Sequence, residues 1–398
     1  MDWQTPADYS STVITEGEVH QLAGKPPVTG AWREGDPVGD RLFAAVGRID
    51  LERGGSLPFA RLAFETWGTL SPAADNAVLV LHALTGDSHI TGPASPGHLT
   101  SGWWSGMVGP GLPIDTDRYF VVVPNLLGGC QGSTGPASLA PDGAEWGSRF
   151  PFLTIRDQVT AQVRLADELG IQRWAAVVGG SMGGMHALEW AIEHPDRVAR
   201  LAAIAVPPAL TADQIAGNSL QLDAVRSDPN YRGGDYYDAE EGPAAGLALA
   251  RRMAMLNYRS GTELNERFSR SWQSGLSPLG DGGRFAIESY LDFHGNRFTR
   301  RFDAGSYITL VNSMTSHDVG RDRGGVPAAL ARIRALTLVL GISSDRLFPL
   351  EGQRSIAASV PDTLDGADPV VLDSAFGHDG FLIEVEGVGR EVRRLLEA

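Results

Sequence analysis

The sequence predicts an α/β protein: a mostly parallel central sheet flanked by helices, with a helical segment inserted as a lid. Three observations predict it. Short apolar, β-branched runs alternate with longer stretches of helical periodicity, the pattern of a sheet buried on both faces. That rhythm stops after Pro208 and resumes near Leu336. One strand-to-helix junction carries a serine set among glycines, Gly179-Gly180-Ser181-Met182-Gly183.

Taken in order, residues 1–45 carry Pro26, Pro27, Pro37 and scattered glycine with little periodicity, and read as an irregular N-terminal extension. Residues 46–208 read as the first part of the core. Within it, 59–67 (FARLAFETW) suits an edge strand with large side chains. Segments 76–81 (NAVLVL) and 119–124 (YFVVVP) suit buried strands, the second stopped by Pro124. Ile155, Val159, Val163 and Ala166 recur at helical spacing, and Gly170 is a natural residue to end that helix. A strand over 174–178, a helix over 182–194 ended by Pro195, and a strand over 198–206 stopped by Pro207 and Pro208 complete this part. Residues 209–315 are polar and helical, with a helix over 244–258, and are far too long for an ordinary connection. They read as an inserted helical lid. Residues 316–398 return to the core with a strand at 336–341, a helix at 353–359, a strand at 369–373 and a last helix at 381–396.

Composition narrows the function classes. The 398 residues carry 33 Lys and Arg against 48 Asp and Glu, a net charge of −15 with no basic run, which argues against a nucleic-acid surface. Cys130 is the single cysteine, so neither an intrachain disulfide nor a cysteine zinc site is available. With no basic, apolar leader at Met1-Asp2-Trp3-Gln4 and no apolar run of about 18 residues, a membrane location is not expected and a cytoplasmic one is.

The glycine-flanked serine matches G-x-S-x-G, in the strand–turn–helix context the motif needs. Small residues two positions either side let strand and helix pass closely. The serine hydroxyl then projects above the sheet beside a helix N-terminus. The same glycines do not spell the dinucleotide motif G-x-G-x-x-G. With Ser181 as nucleophile, an acid and then a histidine must follow in the chain. His378, in SAFGHDG after the last strand, suits the base. Asp345, just after LVLGISS, suits the acid, ahead of Asp368, Asp373 and Asp379. Oxyanion donors fall on the backbone amides of Met182 and of Leu84, in HALTG after the 76–81 strand. His82 reads as a packed structural residue. His82, Asp87 and His89 lack metal-ligand spacing, so no metal site is expected. The glycine-rich NLLGGCQGSTG at 125–135 lacks the P-loop lysine and reads as a shaped turn, with Cys130 structural.

Eight segments together closely resemble the homoserine O-acetyltransferase family, α/β-hydrolase-fold enzymes of methionine biosynthesis. They are LHALTGDSHITG (81–92), NLLGGCQGSTGPAS (125–138), WGSRFPFLTIRDQV (146–159), GGSMGGMHALEW (179–190), RFDAGSYI (301–308), SHDVGRDRGG (316–325), SSDRLFP (343–349) and FGHDGFL (376–382). The resemblance spans about residues 46–396, lid included. It implies Ser181 as nucleophile, Asp345 as acid and His378 as base. It also implies Arg251 and Asp379 as contacts to L-homoserine, with register leaving Arg252 open in place of Arg251. An arginine can hold the substrate carboxylate and an aspartate its ammonium. Acetyl-CoA is then a co-substrate, no cofactor is permanently bound, and a homodimer forms through the lid helices. A triad by itself does not separate transfer from hydrolysis. Succinyl donor, serine acceptor, plain ester hydrolysis and an inactive binding module remain the alternatives.

Overall fold

A computed structural model of the chain describes residue 22 and residues 24–398. Of the N-terminal extension, residues 1–21 and 23 lie outside the described residues.

The first elements are strands β1 (Leu42–Asp50), β2 (Ser56–Trp67) and β3 (Ala77–Leu81), a short β4/β5 pair (Val108–Gly109, Ile114–Asp115) and β6 (Phe120–Pro124). Helix α1 (Ile155–Glu168), β7 (Ala176–Gly180), helix α2 (Met182–Glu193) and β8 (Arg200–Ile204) follow. The insertion supplies α3 (Ala212–Arg226), α4 (Ala244–Tyr258), α5 (Gly261–Phe268), α6 (Ala286–Phe298) and α7 (Ala304–Thr315). The chain finishes with α8 (Val326–Leu330), β9 (Leu336–Ile342), α9 (Leu350–Ser359), β10 (Val370–Leu372), α10 (Gly380–Ile383) and α11 (Val385–Glu397). None of the described helices is long and apolar enough to cross a membrane.

The main sheet runs β1-β2-β6-β3-β7-β8-β9-β10. It is parallel from β6 onward, while β1 and β2 are antiparallel additions. Both faces are covered, as the apolar runs predict. Along β3, Ala77, Leu79 and Leu81 enter one apolar cluster and Val78 and Val80 the other. Along β7, Val177 faces the first cluster, and Ala176 and Val178 face the second.

Two expectations need correction. The 59–67 segment is not an edge strand: β2 pairs with β1 on one side and β6 on the other. The edge on that side is β1, which begins at Leu42, inside the segment read as irregular. Its alternation is interrupted by register shifts on both sides of Gly47, whose φ is +73°, so a period-two search fails there. The final helix is broken: Glu384 adopts φ −80°, ψ 54° between α10 and α11.

Local chemistry accounts for the helix that frames the site from behind. Thr154 caps α1 with its hydroxyl on the Asp157 amide, and the Asp157 carboxylate returns to the Thr154 amide at 2.8 Å. Gly170 closes the helix at φ +73°. The insertion is not an appendage. Leu222 and Val225 of α3, Leu247 and Ala250 of α4, and Tyr307, Leu310 and Val311 of α7 belong to the same apolar cluster as the sheet. A smaller cluster of Met255, Tyr258, Phe268 and Tyr290 ties α4, α5 and α6 together.

The parallel strands all end on one side, where α/β sheets present their ligands. The start of α2 is pressed against β3 there, and a Cβ on Gly183 would collide with the Leu81 carbonyl oxygen. Gly183→Ala should therefore destabilise the fold by about 1–3 kcal/mol and misplace the first turn of α2. Denaturant unfolding and labelling of Ser181 by a serine-directed reagent would check both effects together.

Candidate active site

Ser181 is the last residue before α2 and sits at φ 57°, ψ −126°, a left-handed conformation no β-branched residue would adopt. Such backbone strain costs ~1–3 kcal/mol and persists only where the surroundings impose it. Here the Ser181 amide donates to Ile204 O at 3.0 Å, and Ser181 O accepts from Gly184 N and Met185 N. A Cβ on Gly179 would collide with the Gly183 carbonyl oxygen, one on Gly183 with the Leu81 carbonyl oxygen, and one on Gly180 would lie 2.5 Å from the Phe381 ring. The glycines are thus required by the crossing of β7, α2 and the segment around α10.

The hydroxyl this turn lifts out donates to His378 Nε2 at 2.8 Å. His378 Nδ1–H donates to Asp345 Oδ2 at 2.6 Å. The other Asp345 oxygen accepts from the Leu347 and Phe348 amides, both at 2.9 Å, which freezes the carboxylate. All three residues are buried. Phe348 and Phe381 meet the imidazole edge-on, with ring centres 5.0 and 5.4 Å away. The histidine loop is pinned by Ser344 Oγ, which accepts from Gly377 N at 3.0 Å and donates to Ser374 O. The three residues expected to act together are therefore brought into one hydrogen-bonded line, while Asp368 and Asp373 take no part in it.

Met182 opens α2, so its amide is among the donors a helix leaves without an internal acceptor. Leu84 lies just past β3, beside the same turn. Its loop is braced from three sides. His82 donates from Nδ1 to Ala83 O at 2.7 Å and accepts the Leu126 amide on Nε2 at 3.1 Å. Arg301 Nη1 donates to Thr85 O at 3.1 Å. Arg251 Nη1 reaches Thr85 Oγ1 at 3.4 Å. His82 is thus a neutral, packed histidine, its pKa pushed down by burial.

The two arginines left open by register point in different directions. Arg251 is buried, its guanidinium lying over Tyr258 and Phe298 at 5.4 and 5.0 Å. Arg252 is half-buried and ion-pairs with Asp292 at 3.0 Å. Asp379 is buried beside His378. Its Oδ2 lies 3.6 Å from Arg259 Nη1, and its Oδ1 has no hydrogen-bond partner among the described residues. Burial pushes its carboxyl up from the ordinary value, against the pull of Arg259, His378 and Arg251.

Sequence reading missed Thr85, Tyr258, Arg259, Glu263 and Arg301. Thr85 and Arg301 lie in quoted motifs, but nothing in their spacing says that they meet. Cys130 is buried, with its thiol pushed up to about 12 by that burial, so it is no thiolate nucleophile. His82 and His89 do not act together. His89 instead hydrogen-bonds Glu65 at 3.0 Å and stacks on His98, whose Nε2 accepts the Asp40 amide. The donor atoms of Asp40, Glu65, His89 and His98 lie within 4.8 Å of one another, a grouping built from three separate chain segments that no local spacing reveals.

A strained serine at a strand-to-helix turn, joined to a histidine and an aspartate from later loops of a parallel sheet, defines a class. The chain belongs to the α/β hydrolase fold family, whose model matches residues 76–384. Within that fold it belongs to the homoserine O-acetyltransferase family. It is 67% identical over 402 residues to the homoserine O-acetyltransferase of Leifsonia xyli subsp. xyli, with both chains covered completely. The crystal structure of homoserine O-acetyltransferase from Bacillus anthracis superposes with a TM-score of 0.82 at 26% identity, covering 90% of this chain and 97% of that one. An acetylester hydrolase from Corynebacterium glutamicum is also similar, with a TM-score of 0.76 at 29% identity over 90% of this chain and 97% of that one.

Buried histidines behind the site tie folding to pH. Burial pushes His317 down to about 4 and His186 down to about 3, from an ordinary 6.5. Below pH 6.5 the unfolded chain binds protons that the folded chain refuses. Stability should therefore be full above that pH and fall as pH drops toward 4 and then 3. Urea midpoints at neutral and mildly acidic pH would show this slope, and His317→Gln should flatten it.

Proposed function

We propose that this chain transfers the acetyl group of acetyl-CoA to the side-chain hydroxyl of L-homoserine, giving O-acetyl-L-homoserine and CoA. In this reading Ser181, His378 and Asp345 are nucleophile, base and acid. His378 takes the Ser181 proton as the oxygen attacks the thioester carbonyl. The Leu84 and Met182 amides hold the oxyanion. The tetrahedral species collapses, the C–S bond breaks, and His378 returns the proton to the departing thiolate. Homoserine then enters, His378 removes its hydroxyl proton, and the oxygen attacks the acetyl-serine carbonyl. Collapse breaks the ester bond and restores the Ser181 hydroxyl with that proton. Asp345 holds the imidazole in the right tautomer throughout and supports its charged form.

The observation that most supports an amino-acid acceptor is the pair of buried opposite charges flanking the triad. Arg251 has no carboxylate ion-pair partner among the described residues and suits the acceptor's carboxylate. Asp379 has one free oxygen and suits its ammonium. A simple ester needs neither. The similarity to an acetylester hydrolase supports the second reading, hydrolysis, in which water takes the place of homoserine. No permanently bound cofactor enters either scheme. Exposed Ile215 and Leu220 on α3 and Leu249 and Leu256 on α4 offer apolar surface that a second copy would cover, which supports a homodimer through the lid. A lone, buried cysteine agrees with a reducing cytoplasm.

Mass spectrometry after mixing with acetyl-CoA or succinyl-CoA tests the donor and the nucleophile at once. An acetyl adduct on the Ser181 peptide is expected, with none in Ser181→Ala; a succinyl adduct alone would overturn the donor assignment. Added homoserine should discharge the adduct far faster than water does, and equal rates would mean a hydrolase. Arg251→Ala should still form the adduct but raise the homoserine KM by roughly 10- to 100-fold, the size expected on losing a charged hydrogen bond. Steady-state kinetics with homoserine varied would check that change.

A further inference from the structure

The residue that closes α4 is built to act on Asp379. Arg259 is almost fully buried, immediately after the helix that carries Arg251. One edge of its guanidinium is taken by one carboxylate: Nε meets Glu263 Oε2 at 3.2 Å, and Nη2 meets Glu263 Oε1 at 2.7 Å. That fork-to-fork hold fixes the plane of the guanidinium. The remaining nitrogen, Nη1, faces Asp379 Oδ2 at 3.6 Å. Arg267 Nη1 approaches the same Glu263 Oε1 at 3.7 Å, so opposite charges neighbour one another from Arg267 through Glu263 and Arg259 to Asp379.

The backbone ties this line to the reacting centre. Ser260 caps α5 by accepting the Glu263 amide at 3.0 Å and donates its hydroxyl to Ala375 O in the histidine loop. Gly377, at φ +67°, lies so close that a Cβ would sit 2.6 Å from Ser260 N and 2.7 Å from Tyr258 O. The Arg259 guanidinium also lies over Phe376, 5.5 Å from the ring centre. The α4–α5 corner and the loop bearing His378 and Asp379 are therefore one packed unit.

We propose that Arg259, aligned by Glu263, is a positioning residue for the acceptor's ammonium. It anchors one oxygen of Asp379 and keeps that carboxylate ionised in a buried site, leaving the other oxygen free for the amine. A carboxylate this deeply buried is costly without a fixed positive neighbour. Had Asp379 been paired by two arginine nitrogens, both oxygens would be consumed. Glu263 takes the fork instead and leaves a single, longer contact to Asp379. This inference rests on the assignment of Asp379 to the acceptor amine made above.

The test compares homoserine with 4-hydroxybutyrate, which keeps the hydroxyl and carboxylate but lacks the amine. Wild type should prefer homoserine strongly in kcat/KM. Arg259→Met should shrink that preference by on the order of ten-fold or more, the loss expected for a charge-assisted contact. The change should come through the homoserine KM, with acetyl-enzyme formation and 4-hydroxybutyrate use within several-fold of wild type. Arg259→Lys, which keeps the charge, should recover part of the preference. An unchanged preference in Arg259→Met overturns the proposal while leaving Asp379 as the amine contact. Equal use of both acceptors by wild type overturns the Asp379 assignment itself. Should Arg259→Met fail to fold, Glu263→Gln carries the test: a several-fold fall in preference supports the alignment, and no fall rejects it.

Discussion

Everything at the site depends on how closely α2 crosses the ends of β3 and β7. The approach leaves no room for a side chain at Gly179 or Gly183 and forces Ser181 into a left-handed backbone. The strained residue holds its hydroxyl above the sheet, where His378 can reach it. Loosening the crossing would relax the strain and lose this geometry together, because one contact imposes both. The energy for the strain comes from a helix whose residues Met182–Ile192 are buried throughout.

Around that fixed point the insertion works through three arginines. Arg301 holds the carbonyl of Thr85 and so steadies the loop bearing Leu84. Arg251 faces the same threonine from α4, and Arg259 reaches the histidine loop from the end of that helix. The helical segment between β8 and β9 thus touches both loops that converge on Ser181, and it does so with buried positive charge in a chain whose net charge is −15. Overall charge says little about this pocket, as expected when a few desolvated groups set the local field.

Much of this was legible in the sequence where the physics is local. Buried parallel strands leave continuous apolar runs, so β3, β6 and β9 stood out. The elbow announces itself because steric crowding demands glycine at fixed offsets. The β1 edge was hidden, since the bulge around Gly47 erases its alternation, and β2 was taken as the edge for want of a neighbour. The spacing of Arg251 and Arg252 could not say which faced inward; only the seating of the Arg251 guanidinium over Tyr258 and Phe298 distinguishes them. The pairing of Arg259 with Asp379 joins residues from two loops, and no periodicity carries such information. Motif resemblance reached further than pattern did, because it drew on segments whose meeting in space is invisible to any window along the chain.

The solitary, deeply packed Cys130 has a practical corollary. With its sulfur protonated and screened from solvent, the folded enzyme presents no competing thiol to maleimide or iodoacetamide dyes. A cysteine introduced on an exposed turn between β8 and β9 would therefore take a fluorophore at one address without first stripping the background, giving that segment an optical reporter during turnover.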